Sequence, residues 1–195
     1  MSFLLDPKTT ALVLIDLQHI NMARQLAPHT SATVLANSVT LANTLRAAGG
    51  TVFFVRAEFM ELLDLPVDAP FPRGEGAPPP NFFDLVPEAG IQPGDYVLTK
   101  RQWGAFYGTE LEQRLRRRGI KTMVIGGIAT NFGVESTARE AFDLGYEVVF
   151  AEDAMSCPSG EAHGFVVNHI FPRMGRVRST EQIVAALATA QSQKA

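Results

Sequence analysis

The chain has 195 residues, of which 46% are hydrophobic and 19% charged, and this balance is that of an ordinary globular protein. The length suits one domain with a sizeable core, so we treat residues 1–195 as a single domain. The formal net charge of −3 offers no general attraction to nucleic acid or to an anionic membrane.

Features of the chain also bear on its location in the cell. No apolar run approaches the roughly 20 residues of a membrane span, and residues 1–8 lack the basic and apolar regions of a secretory signal. Cys157, a single cysteine, allows no disulfide within these residues and suits a reducing compartment. We therefore expect a cytoplasmic protein that binds a small molecule and neither nucleic acid nor membrane.

Short β-rich runs alternate with helical stretches. In chain order, the predicted elements are strand Ala11–Asp16, a helix over about 31–48, strand Thr51–Arg56, strand Tyr96–Lys100, a helix over 109–119, strand Thr122–Gly127, a helix over 131–144, strand Tyr146–Ala151, a helix over 159–170, strand Gly175–Arg178 and a terminal helix. Polar N-cap residues are predicted for four helices, at Thr109, Asn131, Ser159 and Ser179. This alternation predicts right-handed βαβ crossovers and an α/β fold whose mostly parallel sheet is covered on both faces.

The segment from Ala57 to Gly94 interrupts this alternation. It is rich in proline, which breaks regular helices and strands. A connection of this length inside a compact domain is usually functional or mobile. We expect a lid or a subunit contact, and an ordinary surface excursion is an equal alternative.

Residues that could carry chemistry lie where predicted strands end. Asp16 closes the first strand, Lys100 closes the third, and the glycine-rich run Gly126–Gly133 follows the fourth. Ligands of open parallel sheets bind at the carboxyl ends of strands. A carboxylate that follows an apolar strand costs desolvation energy unless it is paired or functional. Asp16 and Lys100 are therefore either a charged pair beside a cleft or a structural ion pair.

The run Gly126–Gly133 leads from a strand into a helix. Backbone N–H groups at a helix start offer a site for an anion or an oxyanion. The run has neither the GxGxxG pattern of dinucleotide-binding proteins nor the G-K-[ST] of a phosphate-binding loop. We therefore expect no nucleotide and no other cofactor.

Three runs of the chain resemble the signature blocks of the isochorismatase-like hydrolases. They are ALVLIDLQ (11–18), VLTKRQWGAFYGTEL (97–111) and VIGGIATNFGVESTAREAFDLGYEVVFAEDA (124–154). Their order and spacing match that family over about residues 10–185. The resemblance implies a three-layer, Rossmann-like α/β fold with a six-stranded parallel sheet, and a homo-oligomer. It also implies catalytic roles for Asp16 and Lys100 and a cis peptide bond between Ile128 and Ala129.

Gly133 stands where most members of that family carry a nucleophilic cysteine. Glycine has no side chain, so covalent catalysis is closed at this position, and Cys157 lies elsewhere, after the fifth strand. True isochorismatases are similar to this chain in carrying glycine there, and they hydrolyse a vinyl ether with release of pyruvate. By this resemblance Asp16 is the acid and Lys100 binds a substrate carboxylate.

The chain also departs from the isochorismatases. Glu58 stands in place of a glutamine, and a second carboxylate would repel an anionic substrate unless Arg56 or Arg73 offsets it. The aspartate–histidine group that binds metal in nicotinamidases is absent, so we predict no metal. The resemblance places six residues at the substrate: Glu58, Trp103, Phe106, Ala129, Thr130 and Phe132.

The leading hypothesis is a small-molecule hydrolase with Asp16, Lys100 and the Gly133 position at its catalytic centre. One alternative is an amidohydrolase that uses Cys157 or an activated water. Another is a non-catalytic binding or assembly member of the family. Asp16 and Lys100 favour an enzyme, because a buried charge pair is seldom better for stability than apolar packing.

Overall fold

A six-stranded, all-parallel sheet forms the centre of the computed structural model, which describes residues 3–62, 65–70 and 78–192. The strands are β1 (Thr10–Ile15), β2 (Thr51–Ala57), β3 (Tyr96–Lys100), β4 (Thr122–Ile128), β5 (Glu147–Ser156) and β6 (Gly175–Arg178). They lie in the order β3-β2-β1-β4-β5-β6. The predicted α/β fold is confirmed.

Helices cover both faces of the sheet. They are α1 (His19–Met22), α2 (Ser31–Ala47), α3 (Leu111–Arg117), α4 (Glu135–Asp143), α5 (Gly160–Phe165) and α6 (Thr180–Ser192). Apolar residues of α2 and α6 pack against one face, and those of α3 and α4 pack against the other. Every residue of β1 is buried because alternate side chains enter these two cores, which explains its continuous apolar sequence.

The described part of the chain contains no helix with the length and apolar character needed to cross a membrane.

Ser159 and Ser179 start helices as predicted. The Ser159 hydroxyl accepts a hydrogen bond from the amide of Ala162 at the start of α5. Before α6, Ser179 and Gln182 each accept a bond from the other's amide through their side chains. These bonds satisfy amides that the first turn of a helix otherwise leaves without a partner.

The helix starts predicted at Thr109 and Asn131 are wrong. A capping box would join Thr109 and Glu112 through their side chains and amides. Instead, the Thr109 hydroxyl accepts a hydrogen bond from the amide of Leu111, and Glu112 forms an ion pair with Arg116. Asn131 lies inside a π-helical turn, Thr130–Val134, that joins β4 to α4. Turns of this kind are rare and frequently occur at functional sites.

The strand order reverses between β1 and β4. From β1 the chain proceeds outwards to β2 and β3, and β4 then returns to the other side of β1. Such a reversal leaves a crevice at the carboxyl ends of the two central strands, where ligands of open α/β sheets bind. Because Ile15 pairs with Gly127 in register, the residues that follow β1 and β4 lie at this crevice.

The second half of the proline-rich segment packs on the chain that follows β1. Leu85 forms a β-bridge with Gln18, and the amide of His19 donates to the carbonyl of Asp84 at 3.0 Å. This half of the segment therefore forms a wall beside the crevice. Its role as a lid or a subunit contact stays a prediction.

β5 bulges where its register with β4 shifts, between the partners of Ile125 and Gly127. The shift leaves Glu152 and Asp153 outside the register with β4. Asp153 Oδ1 accepts bonds from both the amide and the hydroxyl of Thr180, each at 2.7 Å. The bulge thereby anchors the start of α6.

Candidate active site

An ion pair between Asp16 and Lys100 lies buried at the crevice. Asp16 follows β1 and Lys100 ends β3, with β2 between these strands. β2 ends in Ala57, which pairs in register with Lys100, and this small residue leaves room for the lysine to extend across β2. Asp16 Oδ2 and Lys100 Nζ are 2.8 Å apart, and the side chains are 10% and 1% exposed. The structure thus brings together the two residues that sequence analysis placed at strand ends.

The backbone of Asp16 is held firmly in an unusual conformation. Its φ is 52°, in the left-handed region that aspartate tolerates better than most other residues. Its amide donates to the carbonyl of Val55 at 2.8 Å, and its carbonyl accepts from the Asn21 side chain at 2.9 Å. Gln18 bonds both the amide and the carbonyl of Ala57. These bonds fix the point at which the chain leaves the sheet and the carboxylate enters the crevice.

Burial has more influence than the lysine on the protonation of Asp16. Desolvation raises the pKa of Asp16 to about 6, and the attraction and hydrogen bond of Lys100, together with the backbone amide of Ala57, oppose this rise only in part. Asp16 Oδ2 contacts the lysine, whereas the buried Oδ1 accepts no hydrogen bond of good geometry from the described residues. Asp16 can therefore offer a proton to a ligand at close to neutral pH.

Gly133 lies directly against this ion pair. A methyl group added at its Cα would be 2.9 Å from Lys100 Nζ, 2.9 Å from Ile15 Cγ2 and 3.2 Å from Asp16 Oδ2. The charged ends already fill the space that a side chain at this position would take. The Gly133 carbonyl accepts a hydrogen bond at 2.6 Å from the Thr137 hydroxyl. The same hydroxyl accepts a hydrogen bond from the amide of Ala105, in the loop after β3. The π-helical turn and the lysine-bearing loop are thereby joined.

Glu58 is paired with Arg56 beside the crevice. The two side chains are 3.1 Å apart, and Arg56 also binds Asp84 at 3.2 Å. The amide of Glu58 donates to the carbonyl of Lys100 at 2.8 Å, so the two residues are neighbours. Arg56 therefore offsets part of the negative charge that would repel an anionic substrate, while Arg73 lies outside the described residues.

The aromatic residues near Lys100 divide between the crevice and the core. Trp103 is 51% exposed and packs edge-on against Phe132, with ring centroids 4.9 Å apart. The Trp103 carbonyl accepts from Lys100 Nζ at 2.6 Å, which places both rings close to the ion pair. Phe106 is instead buried in the core, where it stacks on Tyr146 at 6.1 Å. This placement favours a packing role for Phe106, and its contact with substrate stays a prediction.

Ala129 and Thr130 join β4 to the π-helical turn. The peptide bond between Ile128 and Ala129 is cis, as expected from the sequence. The Ala129 carbonyl accepts bonds from two amides of the turn, so these amides are not free to bind an anion at the helix start. The Thr130 hydroxyl is buried and lies 2.9 Å from Nδ1 of His163.

Cys157 follows β5, which β4 separates from Asp16. Its side chain is fully buried, and Sγ donates to the carbonyl of Ser159 at 3.0 Å. Burial raises the pKa of the thiol, which leaves little of the nucleophilic thiolate at neutral pH. This placement favours a packing role for Cys157 over a catalytic one.

A second polar cluster, which the sequence pattern did not indicate, lies beside the bulge of β5. Glu152 Oε1 lies 2.7 Å from His29 Nε2 and 3.2 Å from His163 Nε2. The hydrogen bond from His163 is the main cause that lowers the pKa of Glu152 to about 2, so this carboxylate is ionised at neutral pH. The available signal was the pair Glu152–Asp153, which follows the apolar run of β5 much as Asp16 follows β1.

Known proteins resemble this chain over nearly its full length. The isochorismatase domain family model matches residues 10–182. The isochorismatase family protein YecD of Escherichia coli O157:H7 is 50% identical over 187 residues, which cover 94% of this chain and 98% of that protein. YwoC of Bacillus subtilis is 47% identical over 184 residues, covering 92% and 95%. The structure of an isochorismatase family protein from Burkholderia thailandensis matches with a TM-score of 0.89 and 41% identity, covering 96% of this chain and 100% of that one.

Gly133→Ala is expected to destabilise the protein by about 1–3 kcal/mol, because a methyl group would overpack a site already filled by buried charged groups. Gly104→Ala is the matched control, since a methyl group there would meet its nearest neighbours at 3.5 Å, an ordinary contact. Urea unfolding measures the free energy of unfolding of both variants and of the wild type. Equal stability would mean that the ion pair moves aside without cost and would contradict tight packing at position 133.

Proposed function

Because this chain belongs to the isochorismatase family, a family of hydrolases, we propose that it hydrolyses a vinyl ether such as isochorismate and releases pyruvate. The observation that carries the proposal is the buried Asp16 carboxyl, whose pKa is raised to about 6. Its buried Oδ1 accepts no hydrogen bond of good geometry from the described residues, so part of the hydrogen-bonding capacity of this carboxyl is unused. Gly133 supplies no nucleophile, and this supports a reaction without a covalent intermediate.

In the proposed reaction Asp16 donates its proton to the methylene carbon of the vinyl ether. The electrons of the double bond form the new C–H bond and leave an oxocarbenium ion on the adjacent carbon. Water adds to that carbon and gives a proton back to the Asp16 carboxylate. The resulting hemiketal then breaks its ether bond, and its hydroxyl proton passes to the departing oxygen. One water is consumed, an alcohol and pyruvate are released, and Asp16 is protonated again.

Lys100 would bind a carboxylate of the substrate. An ammonium group has three N–H donors, and two of them are directed at Asp16 Oδ2 and the Trp103 carbonyl. The third donor would bind the substrate carboxylate inside the crevice, because the lysine side chain is only 1% exposed. The charge of that substrate would weaken the preference of Asp16 for its ionised form, and protonation of the acid would be favoured in the complex.

Pyruvate release from isochorismate by the wild type and by Asp16→Asn tests the proposal. We expect turnover by the wild type and a loss of at least about 100-fold in the variant, because general acid catalysis typically contributes roughly 10²–10⁴-fold. Asp143→Asn changes an exposed carboxylate at the end of α4 and should retain wild-type turnover.

Two outcomes would contradict the proposal. Pyruvate release that survives in Asp16→Asn would remove Asp16 as the acid. No pyruvate release from the wild type would remove isochorismate as a substrate, and ammonia release from small amides would then support the amidohydrolase alternative.

The pH dependence of turnover separates an acid role of Asp16 from a basic one. With a pKa of about 6, Asp16 is protonated below that pH and loses its proton as the pH rises through it. An acid role predicts that kcat/KM is constant below about pH 6 and falls about tenfold per pH unit above it. A base in amide hydrolysis gives the opposite slope. Pyruvate formation that increases through this range would contradict the acid role.

A further inference from the structure

Three side chains outside the active site converge into what we term the His–Glu–His cluster, made of His29, Glu152 and His163. Their nearest ligand atoms, His29 Nε2, Glu152 Oε1 and His163 Nε2, all lie within 4.8 Å of one another. The side chain of His163 is 3% exposed, while those of His29 and Glu152 are 24% and 30% exposed. The cluster is therefore closed towards the core and open towards solvent on one side.

We propose that the His–Glu–His cluster binds a divalent transition-metal ion, with zinc as the best fit. Two imidazoles and one carboxylate form a donor set that zinc uses in sites with an open fourth position. Magnesium and calcium prefer oxygen ligands, so two nitrogen donors select against them. The fourth position would be taken by water or by a small anion from solvent.

The spacing of the ligand atoms fits such an ion. Metal–ligand bonds of about 2.0–2.1 Å in tetrahedral geometry place neighbouring ligand atoms about 3.3 Å apart. The two separations from Glu152 Oε1 are 2.7 Å and 3.2 Å. Small side-chain rotations therefore suffice to admit the ion, because the largest separation among the three ligand atoms is below 4.8 Å.

Thr130 supports His163 from the buried side. Its hydroxyl lies 2.9 Å from His163 Nδ1, and a hydroxyl can donate or accept a hydrogen bond. When Nε2 binds a metal, Nδ1 carries the proton and donates it to this hydroxyl. Such outer contacts fix the orientation of a metal-binding histidine ring.

The proposed ion would join three separate parts of the fold. His29 lies between α1 and α2, Glu152 lies in the β5 bulge, and His163 lies in α5. Through Thr130 the cluster also contacts the π-helical turn that carries Gly133. The site is made of other residues than the aspartate–histidine group of nicotinamidases, and it does not depend on the proposed vinyl-ether chemistry.

Zinc titration of metal-free protein by calorimetry tests the proposal. We expect the wild type to bind one zinc ion per chain, and His29→Ala and Glu152→Gln each to lose at least about tenfold in affinity. His169→Ala is the matched control, because it removes an exposed histidine outside the cluster and should leave affinity unchanged. Cobalt supplies a spectroscopic readout, since a tetrahedral site gives strong visible absorption that Glu152→Gln should lose.

Thermal unfolding separates a lost ligand from a lost fold. His29→Ala should unfold cooperatively without metal, because His29 is partly exposed, while zinc should raise the Tm of the wild type and of His169→Ala but not of His29→Ala. Absence of saturable zinc binding by the wild type would overturn the site. Equal binding by His29→Ala and His169→Ala would do the same and would leave the cluster as a hydrogen-bonded triad.

Discussion

The buried contact between Asp16 and Lys100 constrains the surrounding structure. Removing a carboxylate and an ammonium from water costs several kcal/mol per ion, and the cost is recovered only with close pairing and further hydrogen bonds. Ala57 is small enough for Lys100 to extend across β2, and Gly133 leaves room for both charged ends. The left-handed conformation of Asp16 completes the arrangement. Each of these features helps to place two buried charges at the carboxyl ends of the strands.

The balance of two opposing effects decides what this pair can do chemically. The lysine stabilises the carboxylate, while burial destabilises it, and burial is the larger effect on the pKa of Asp16. An ionised aspartate would serve as a base, as the amidohydrolase alternative requires. A carboxyl that is partly protonated near neutral pH serves as an acid. The proposal of vinyl-ether hydrolysis depends on this balance and on the lack of a side chain at Gly133.

Much of the fold could be predicted from local sequence. Strands β3 and β6 begin and end where the sequence predicts. Asp16 and Lys100 were found by a rule of topology, since parallel strands bring their carboxyl ends to one edge. The π-helical turn at Asn131 was missed because its wider hydrogen-bond pattern has no signal in helix-cap preferences. The burial of Phe106 could not be predicted, because spacing in an irregular loop does not reveal which ring faces the core.

The His–Glu–His cluster could not be predicted from spacing, because His29 and Glu152 are 123 residues apart in the chain. Their contact depends on the bulge in β5, which also supplies the anchor for α6. Thr130 connects this cluster to the turn beside the ion pair. The residues after β4 are therefore held from two sides, by the Asp16–Lys100 pair and by His163. An ion bound by His163 would therefore help to position the π-helical turn through the contact of His163 with Thr130.

The pKa of Asp16 in the free protein is the most direct test of this interpretation. A carbon-13 NMR titration of protein labelled at its aspartate carboxyls measures it, with the Asp16 signal identified by its absence in Asp16→Asn. We expect a pKa of about 6, set by burial. A value at or below that of an ordinary aspartate, about 4, would mean that Lys100 keeps the group ionised and would contradict its role as an acid.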